Sequence, residues 1–283
     1  MNWSGLPQCY EFDTGEIIGG IQPYMNYHGV CGLMHRDYKV EPVRHYKAFL
    51  NAEYYLRPGS GMKMYPRIMS QAKEITHELV DDSVILRFPA EPDFGLEMDL
   101  AYRASGDAVD CDMVIRPSIE IPRFEIFFAS YVVEAFDETW VPLVGADGSE
   151  SWVKLNNRVE LNRTFGVARD SDAIEMKGDG RYGDLSKNLH RDIEDRFYSK
   201  PILVARNSTN GFSIIFLLDP KVTTYLTGQY HGWDTAHDWC FGDDLVPGKQ
   251  LIARTRMVYR CLPDSTTLCE EVDRLWEGFL GGE

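Results

Sequence analysis

Strict alternation of apolar and polar positions dominates the middle of the chain. Across 96–103, Leu96, Met98, Leu100 and Tyr102 share one face while Glu97, Asp99, Ala101 and Arg103 share the other. Across 109–116, Val109, Cys111, Met113 and Ile115 alternate with Asp110, Asp112 and Arg116. A period of two is that of a half-buried strand. Ser105-Gly106-Asp107 lies between the two runs and predicts a hairpin. A second hairpin is predicted from 74–80 to 83–88 through Asp81-Asp82. Further strands are predicted at 125–134, 151–154, 202–206, 212–218 and 251–261, with the Asn207-Ser208-Thr209-Asn210-Gly211 run turning one into the next.

The helical period is rarer. A short helix is predicted to open at Pro42 and run towards Leu50. A longer one is predicted at 265–280, where Leu268, Val272, Leu275, Trp276 and Phe279 fall on one stripe. Thr267 and Glu270 have capping-box spacing there, and Gly281 follows the end. Residues 170–192 are polar and rich in Gly and Asp (Asp170, Asp172, Asp179, Asp184), which predicts a long surface loop. Neither βαβ alternation nor an internal repeat is visible. These signals predict an all-β protein: one large antiparallel β-sandwich domain over 1–283, with the C-terminal helix packed on it and a jelly roll as the alternative.

Composition narrows the function. The chain has 283 residues and 12% aromatics, enough for a full core and for a sugar-stacking pocket. A formal net charge of -15 argues against nucleic acid as a partner. No apolar run is long enough to span a bilayer. Residues 1–7 carry neither a basic nor an apolar leader region, so a cytoplasmic location is expected. The six cysteines are scattered without a CxxC, which suits buried free thiols better than a thiolate metal site. No metal or other cofactor is expected. Phosphate-binding glycine loops and a GxSxG nucleophile elbow are also missing.

Local charge runs against the whole. From His35 to Arg67 there are seven Lys/Arg (Arg36, Lys39, Arg44, Lys47, Arg57, Lys63, Arg67) against three acids, interleaved with tyrosines. Arg donors bind carboxylates and aromatic faces stack on sugar rings, so Arg36, Arg44 and Arg57 are candidate substrate contacts. His28 and His35 flank glycines that would allow close backbone approach, and join that set. The alternative is a solvated loop and helix with structural histidines.

The densest set of proton-transfer groups is Tyr230-His231-Gly232-Trp233-Asp234-Thr235-Ala236-His237-Asp238-Trp239. A carboxylate beside an imidazole fixes its tautomer and raises its basicity. His231 or His237 is therefore the candidate base, Asp234 or Asp238 its orienting partner, and Tyr230 (or Tyr38) the candidate acid. Trp233 and Trp239 are candidate stacking platforms. The competing uses are metal ligation, without an HExxH spacing, and a Trp-rich loop whose aspartates cap turns.

The run Phe241-Gly242-Asp243-Asp244-Leu245-Val246-Pro247-Gly248-Lys249, followed by the 251–261 strand, resembles the galactose mutarotase-like β-supersandwich. The 96–116 hairpin followed by the 124–133 strand resembles its central sheet, and the resemblance spans roughly residues 70–262. It implies a concave sheet facing carbohydrate, in a family that includes aldose epimerases, hexose-phosphate epimerases, polysaccharide lyase domains and glycosidase-associated sandwiches. The epimerase histidine of a His-Pro-Tyr strand has no counterpart, since Phe124-Glu125-Ile126-Phe127-Phe128-Ala129-Ser130-Tyr131 stands there. Asp243 or Asp244 stands at the place of the carboxylate before the Pro-Gly turn. The departure points away from plain aldose mutarotation.

Together these readings predict a carbohydrate-active enzyme that abstracts a proton from a sugar or uronate, as a lyase or as an epimerase/isomerase. A non-catalytic carbohydrate-binding sandwich and a metal-dependent cupin-like enzyme are the alternatives. The expected partner is a small sugar ligand, and a homo-oligomer is compatible with the apolar C-terminal helix.

Overall fold

The computed structural model describes residues 9–23, 27–62, 75–155, 160–183 and 192–282. Residues 1–7, Lys63, Arg67 and Asp184 of the segments above lie outside them. The predicted hairpin at 96–116 is present as β7 (Leu96–Ser105) and β8 (Ala108–Pro117), with Leu100 opposite Met113 and Gly106 at φ 56 in the turn. The pair lies inside a nine-stranded sheet that also contains β5 (Thr76–Val80), β6 (Ser83–Phe88), β10 (Glu138–Val144), β11 (Glu150–Leu155), β14 (Ile202–Arg206), β15 (Phe212–Leu218) and β18 (Leu251–Cys261). Its order is β11-β10-β14-β15-β18-β8-β7-β6-β5.

Facing it is a six-stranded sheet built from β4 (Asn51–Leu56), β9 (Ile121–Val133), β12 (Thr164–Ala168), β13 (Asp192–Ile193), β16 (Thr223–Tyr230) and β17 (Asp234–Leu245). The order here is β13-β12-β16-β17-β9-β4. A three-stranded sheet of β1 (Tyr10–Asp13), β2 (Ile17–Gln22) and β3 (Gly29–His35) completes the described β structure.

The alternating residues say which face is which. Phe124, Ile126 and Phe128 of β9 and Trp239 and Phe241 of β17 pack with Leu100, Met113, Phe216 and Met257 of the nine-stranded sheet, forming the core of the sandwich. The intervening residues Phe127, Ala129 and Tyr131 of β9 and Ala236 and Cys240 of β17 form a second cluster on the opposite, outer face. The outer face of the nine-stranded sheet is covered by α2 (Ser265–Gly281), whose Leu268, Val272, Trp276 and Phe279 pack on Val204, Ile215 and Val258. The predicted apolar stripe is therefore the docking face of that helix. Its N-cap is Asp264 rather than Thr267: the Asp264 carboxylate accepts from the Thr267 N–H at 2.8 Å, because the helix starts three residues earlier than the capping box implies.

Two expectations are corrected. Residues 42–50 form no helix: Val43 bridges Val132 of β9, and Tyr46 and Leu50 have φ of 64 and 57, outside the helical region. Their apolar side chains serve two clusters on different faces, Val43, Phe49 and Leu50 in the sandwich core and Ala48 on the outer face, so no single helical stripe exists. The acidic loop at 170–192 contains a helix, α1 (Ser171–Lys177), capped by Asp170 through the Ala173 N–H at 2.8 Å. The aspartate at the head of the run is a cap there rather than a loop residue.

Candidate active site

On the outer face of the six-stranded sheet, several buried polar side chains converge on Tyr131. Its hydroxyl donates to Glu53 Oε1 at 2.8 Å. Lys47 Nζ sits 3.7 Å from the Tyr131 ring centroid and 4.6 Å from that of Tyr27, and donates to the Tyr27 hydroxyl at 2.9 Å. Two faces of aromatic rings thus hold the ammonium by cation–π attraction. The His231 ring stacks on Tyr131 at 6.2 Å.

Local backbone geometry places these groups. Glu53 is the extra residue of a bulge in β4: Ala52 pairs with Phe128 and Tyr54 with the neighbouring Phe127. A bulge re-aims side chains. Here it puts both Glu53 and Tyr54 on the outer face and returns Tyr55 to the core. Asn51 Nδ2 donates to Glu53 Oε1 at 2.8 Å, and Asn51 Oδ1 accepts from the His28 N–H at 3.0 Å, so Glu53 is held from behind.

The 230–239 run consists of the end of β16, a turn and the start of β17. The turn closes through the His231 N–H to the Asp234 carbonyl at 2.9 Å, with Gly232 at φ 91. Only a glycine adopts that conformation freely. The same turn brings His231 Nδ1 to 2.6 Å from Asp234 Oδ1, while Arg44 Nε lies 4.0 Å from Asp234 Oδ2. Asp234 is buried and His231 is partly open, the arrangement of an imidazole oriented by a carboxylate.

Asp238 follows on the same face of β17, opposite Ala129 of β9. It is buried, and its Oδ1 has no hydrogen-bond partner. Burial pushes its carboxyl well above the usual range, the Glu53 charge adds to this, and Lys47 only partly offsets it. Its surroundings therefore disfavour the charged carboxylate and favour the protonated carboxyl. Burial and then the Glu53 charge likewise raise the Tyr131 hydroxyl.

The predicted site residues divide between this cluster and other parts of the fold. His231, Asp234, Asp238, Arg44 and Trp233 come together around Tyr131, and Tyr230 donates its hydroxyl to the Gly232 carbonyl of the same turn at 3.0 Å. His237 and Trp239 point the other way because a strand alternates. His237 meets Thr139 of β10 at 3.0 Å and stacks on Phe216, and Trp239 stacks on Phe128, both fully buried between the sheets. His28 is buried, takes the Ala52 N–H on Nε2 at 3.1 Å, and is pushed down by burial to about 3. His35 packs against Phe212 and Tyr259, Arg36 pairs with Asp13 of β1, and Arg57 lies 4.9 Å over Phe94. None of these last four touches Tyr131 or Asp238 in the contacts described. Lys47 belongs to the cationic run, whereas Glu53, Tyr27 and Tyr131 join the cluster without having been singled out in the sequence, since a bulge and a long-range pairing assemble them.

Further along the same outer face lies a second polar cluster of different character. Glu125 Oε1 and Oε2 accept from Lys177 Nζ at 2.8 and 2.9 Å, and Arg181 Nη1 donates to Oε2 at 2.8 Å. Thr224 donates to the same carboxylate. Burial alone would raise Glu125, but the Lys177 and Arg181 charges and these bonds hold it below the usual range. Every charge is answered, so the cluster fastens α1 and the 178–183 turn onto the sheet. Among the described residues no group of three or more His, Cys, Asp or Glu is arranged to hold a metal ion, and no helix is long and apolar enough to cross a membrane.

No protein-family model matches the chain, and no curated protein matches it in sequence. Solved structures do match in three dimensions. A candidate aldose 1-epimerase from Escherichia coli K12 superposes with a TM-score of 0.61 at 9% identity, covering 90% of this chain and 99% of its own. A galactose mutarotase related enzyme from Lactobacillus acidophilus gives 0.55 at 10% identity, over 91% of this chain and 99% of the other. An α-N-acetylgalactosaminidase from Bifidobacterium bifidum gives 0.56 at 14% identity, covering 95% of this chain but only 39% of that longer one. The fold is the galactose mutarotase-like β-sandwich, in agreement with the sequence resemblance and in place of the jelly roll.

Proposed function

We propose, starting from a chain with the galactose mutarotase-like fold, that it is a sugar-modifying enzyme that works by proton transfer, of the epimerase or isomerase type. The observation that carries this reading is the pairing of a candidate acid with a candidate base beside one aromatic ring. His231, oriented by Asp234, is the base, and Asp238, whose charged form burial disfavours, is the acid. Both border Tyr131, which stacks on one and is coupled by charge to the other. Sugar as the substrate is supported by the fold neighbours, an epimerase candidate and a glycosidase among them.

In this scheme the His231 imidazole takes a proton from the substrate while Asp238 gives one to the opposite oxygen or carbon. The reverse transfers then complete the exchange. General acid–base catalysis of this kind supplies about 10²–10⁴-fold in rate. Lys47 and Arg44 stand by to balance negative charge that develops on substrate oxygen. Elimination from a uronate is supported less well, because of the three arginines expected to neutralise its carboxylate only Arg44 lies at the site.

The test is incubation with a panel of aldoses, ketoses and uronates in D₂O, followed by NMR. Anomeric exchange faster than buffer, or deuterium incorporated at carbon, is expected for at least one sugar. An unsaturated product from a uronate would move the assignment to a lyase. Binding without any exchange would favour the non-catalytic carbohydrate-binding sandwich and overturn the enzyme.

A further inference from the structure

Among the described residues only two large aromatic side chains are mainly exposed, and each lies in a turn that carries residues of the candidate site, Trp233 beside Asp234 and Tyr46 beside Lys47. Trp233 is 58% exposed and Tyr46 73%. Exposed aromatics of this size are costly, and where they lie beside a site they mark an interaction surface. Neither is on a loose segment. The Trp233 carbonyl accepts from the Glu134 N–H at 3.2 Å, and the Tyr230 carbonyl just before the turn accepts from the Asn162 N–H at 2.7 Å. The turn that carries Trp233 is thus pinned on both sides, next to Asp234.

Tyr46 is presented with equal definition. It sits in a turn closed by the Lys47 N–H to the Arg44 carbonyl at 2.8 Å, at φ 64, a left-handed conformation that a bulky residue adopts only under constraint. That conformation sends Lys47 inward between Tyr27 and Tyr131 and leaves Tyr46 outward with His45, whose ring centroid is 3.7 Å away. Arg44 shares the turn with Tyr46 and reaches Trp233: its guanidinium lies 6.0 Å from the Trp233 ring centroid, and its N–H is bonded to the Tyr131 carbonyl at 2.9 Å. The rim therefore offers flat apolar faces with an arginine and a histidine beside them.

Resting on the sugar reading above, we infer that Trp233 and Tyr46 form an outer stacking subsite for a second sugar ring, so that the preferred ligand is a disaccharide or longer chain rather than a free monosaccharide. A pyranose has an apolar C–H face and a hydroxylated edge, which match an aromatic face with polar donors at its border. The link to the inner site is Arg44, which lies beside both Trp233 and Asp234 and shares its turn with Tyr46. A protein partner would need a larger apolar area than these two rings with charged neighbours provide.

The experiment is calorimetric titration of the full chain with D-glucose, D-galactose and N-acetyl-D-galactosamine, and with di- and trisaccharides built from each. Wild type is expected to bind at least one disaccharide about tenfold more tightly than its monosaccharide, and Trp233→Ala and Tyr46→Ala are each expected to remove most of that gain. Both side chains are exposed, so melting temperatures should stay close to wild type. Equal affinity for one ring and two, or a gain unchanged in both variants, overturns the subsite while leaving the sugar reading in place. Binding of no sugar overturns the sugar reading itself. A wild-type dimer that Trp233→Ala dissociates, seen by sedimentation, would assign the rim to a second copy of the chain and also overturn the subsite.

Discussion

The Tyr131 hydroxyl donates a hydrogen bond to Glu53 at 2.8 Å, across the junction of β9 and β4, and the Glu53 carboxylate acts in turn on Asp238. That charge adds to burial in raising Asp238. Activity that needs protonated Asp238 falls as pH rises through its pKa. Glu53→Gln removes one of three raising influences, burial and the Asp234 charge being the others, so the alkaline limb of the pH–rate profile should move to lower pH. A limb that moves up, or not at all, would separate Glu53 from the acid.

Asp238→Asn tests the acid directly. The amide is nearly isosteric but cannot give up a proton in this pH range, so turnover should fall by about 10²–10⁴-fold. A buried carboxyl with an unpartnered oxygen is costly to the fold. Melting temperature is accordingly expected to hold or rise. Loss of stability together with activity would mark Asp238 as structural.

His231→Gln should cut turnover by a similar factor at constant melting temperature, because the side chain is partly open and its partner Asp234 keeps the Arg44 charge nearby. His237→Gln provides the contrast. His237 lies between the sheets against Thr139 and Phe216, so its replacement should register first in thermal unfolding.

Glu125→Gln leaves Lys177 and Arg181 buried with their shared counter-charge gone. Breaking a buried ion pair from one side costs about 3–5 kcal/mol, to be read from urea unfolding. A loss below about 1 kcal/mol would mean that α1 and the 178–183 turn are held by apolar packing instead.

His28 carries a pH signature of stability. Its folded pKa, about 3, lies below the ordinary value of 6.5, so the unfolded chain binds the proton more readily. Its contribution is present in full above pH 6.5 and is lost as pH falls towards 3. The slope it adds is about 1.4 kcal/mol per pH unit. His28→Gln, which can still accept the Ala52 N–H, should flatten the acid side of a stability–pH curve. An unchanged acid side would assign it to other groups.

The strands with a clean period of two, 96–103 and 109–116, and the stripe of Leu268, Val272, Trp276 and Phe279 were legible because one-sided burial writes itself into local order. The strand predicted at 125–134 is β9, though its nearly continuous apolar run does not say which side chains face the core, and β17, covered on both faces, reads as a Trp-rich loop. The 42–50 segment misled because Pro42 signals a helix start, while the apolar residues after it answer to two different clusters.

By itself the sequence determined the β-sandwich class, the C-terminal helix and the neighbourhood of His231, Asp234 and Asp238, since these depend on residues adjacent along the chain. Tertiary structure decided which of those side chains share a face. Alternation in β17 separates Asp238 from His237 and Trp239, and a single bulge in β4 delivers Glu53. Lys47 and Tyr131 are 84 positions apart in the numbering and meet only because β9 lies beside the turn that Arg44 and Lys47 close. Side-chain direction in a sheet follows from register, and register is set by pairing between distant strands, which local periodicity does not encode.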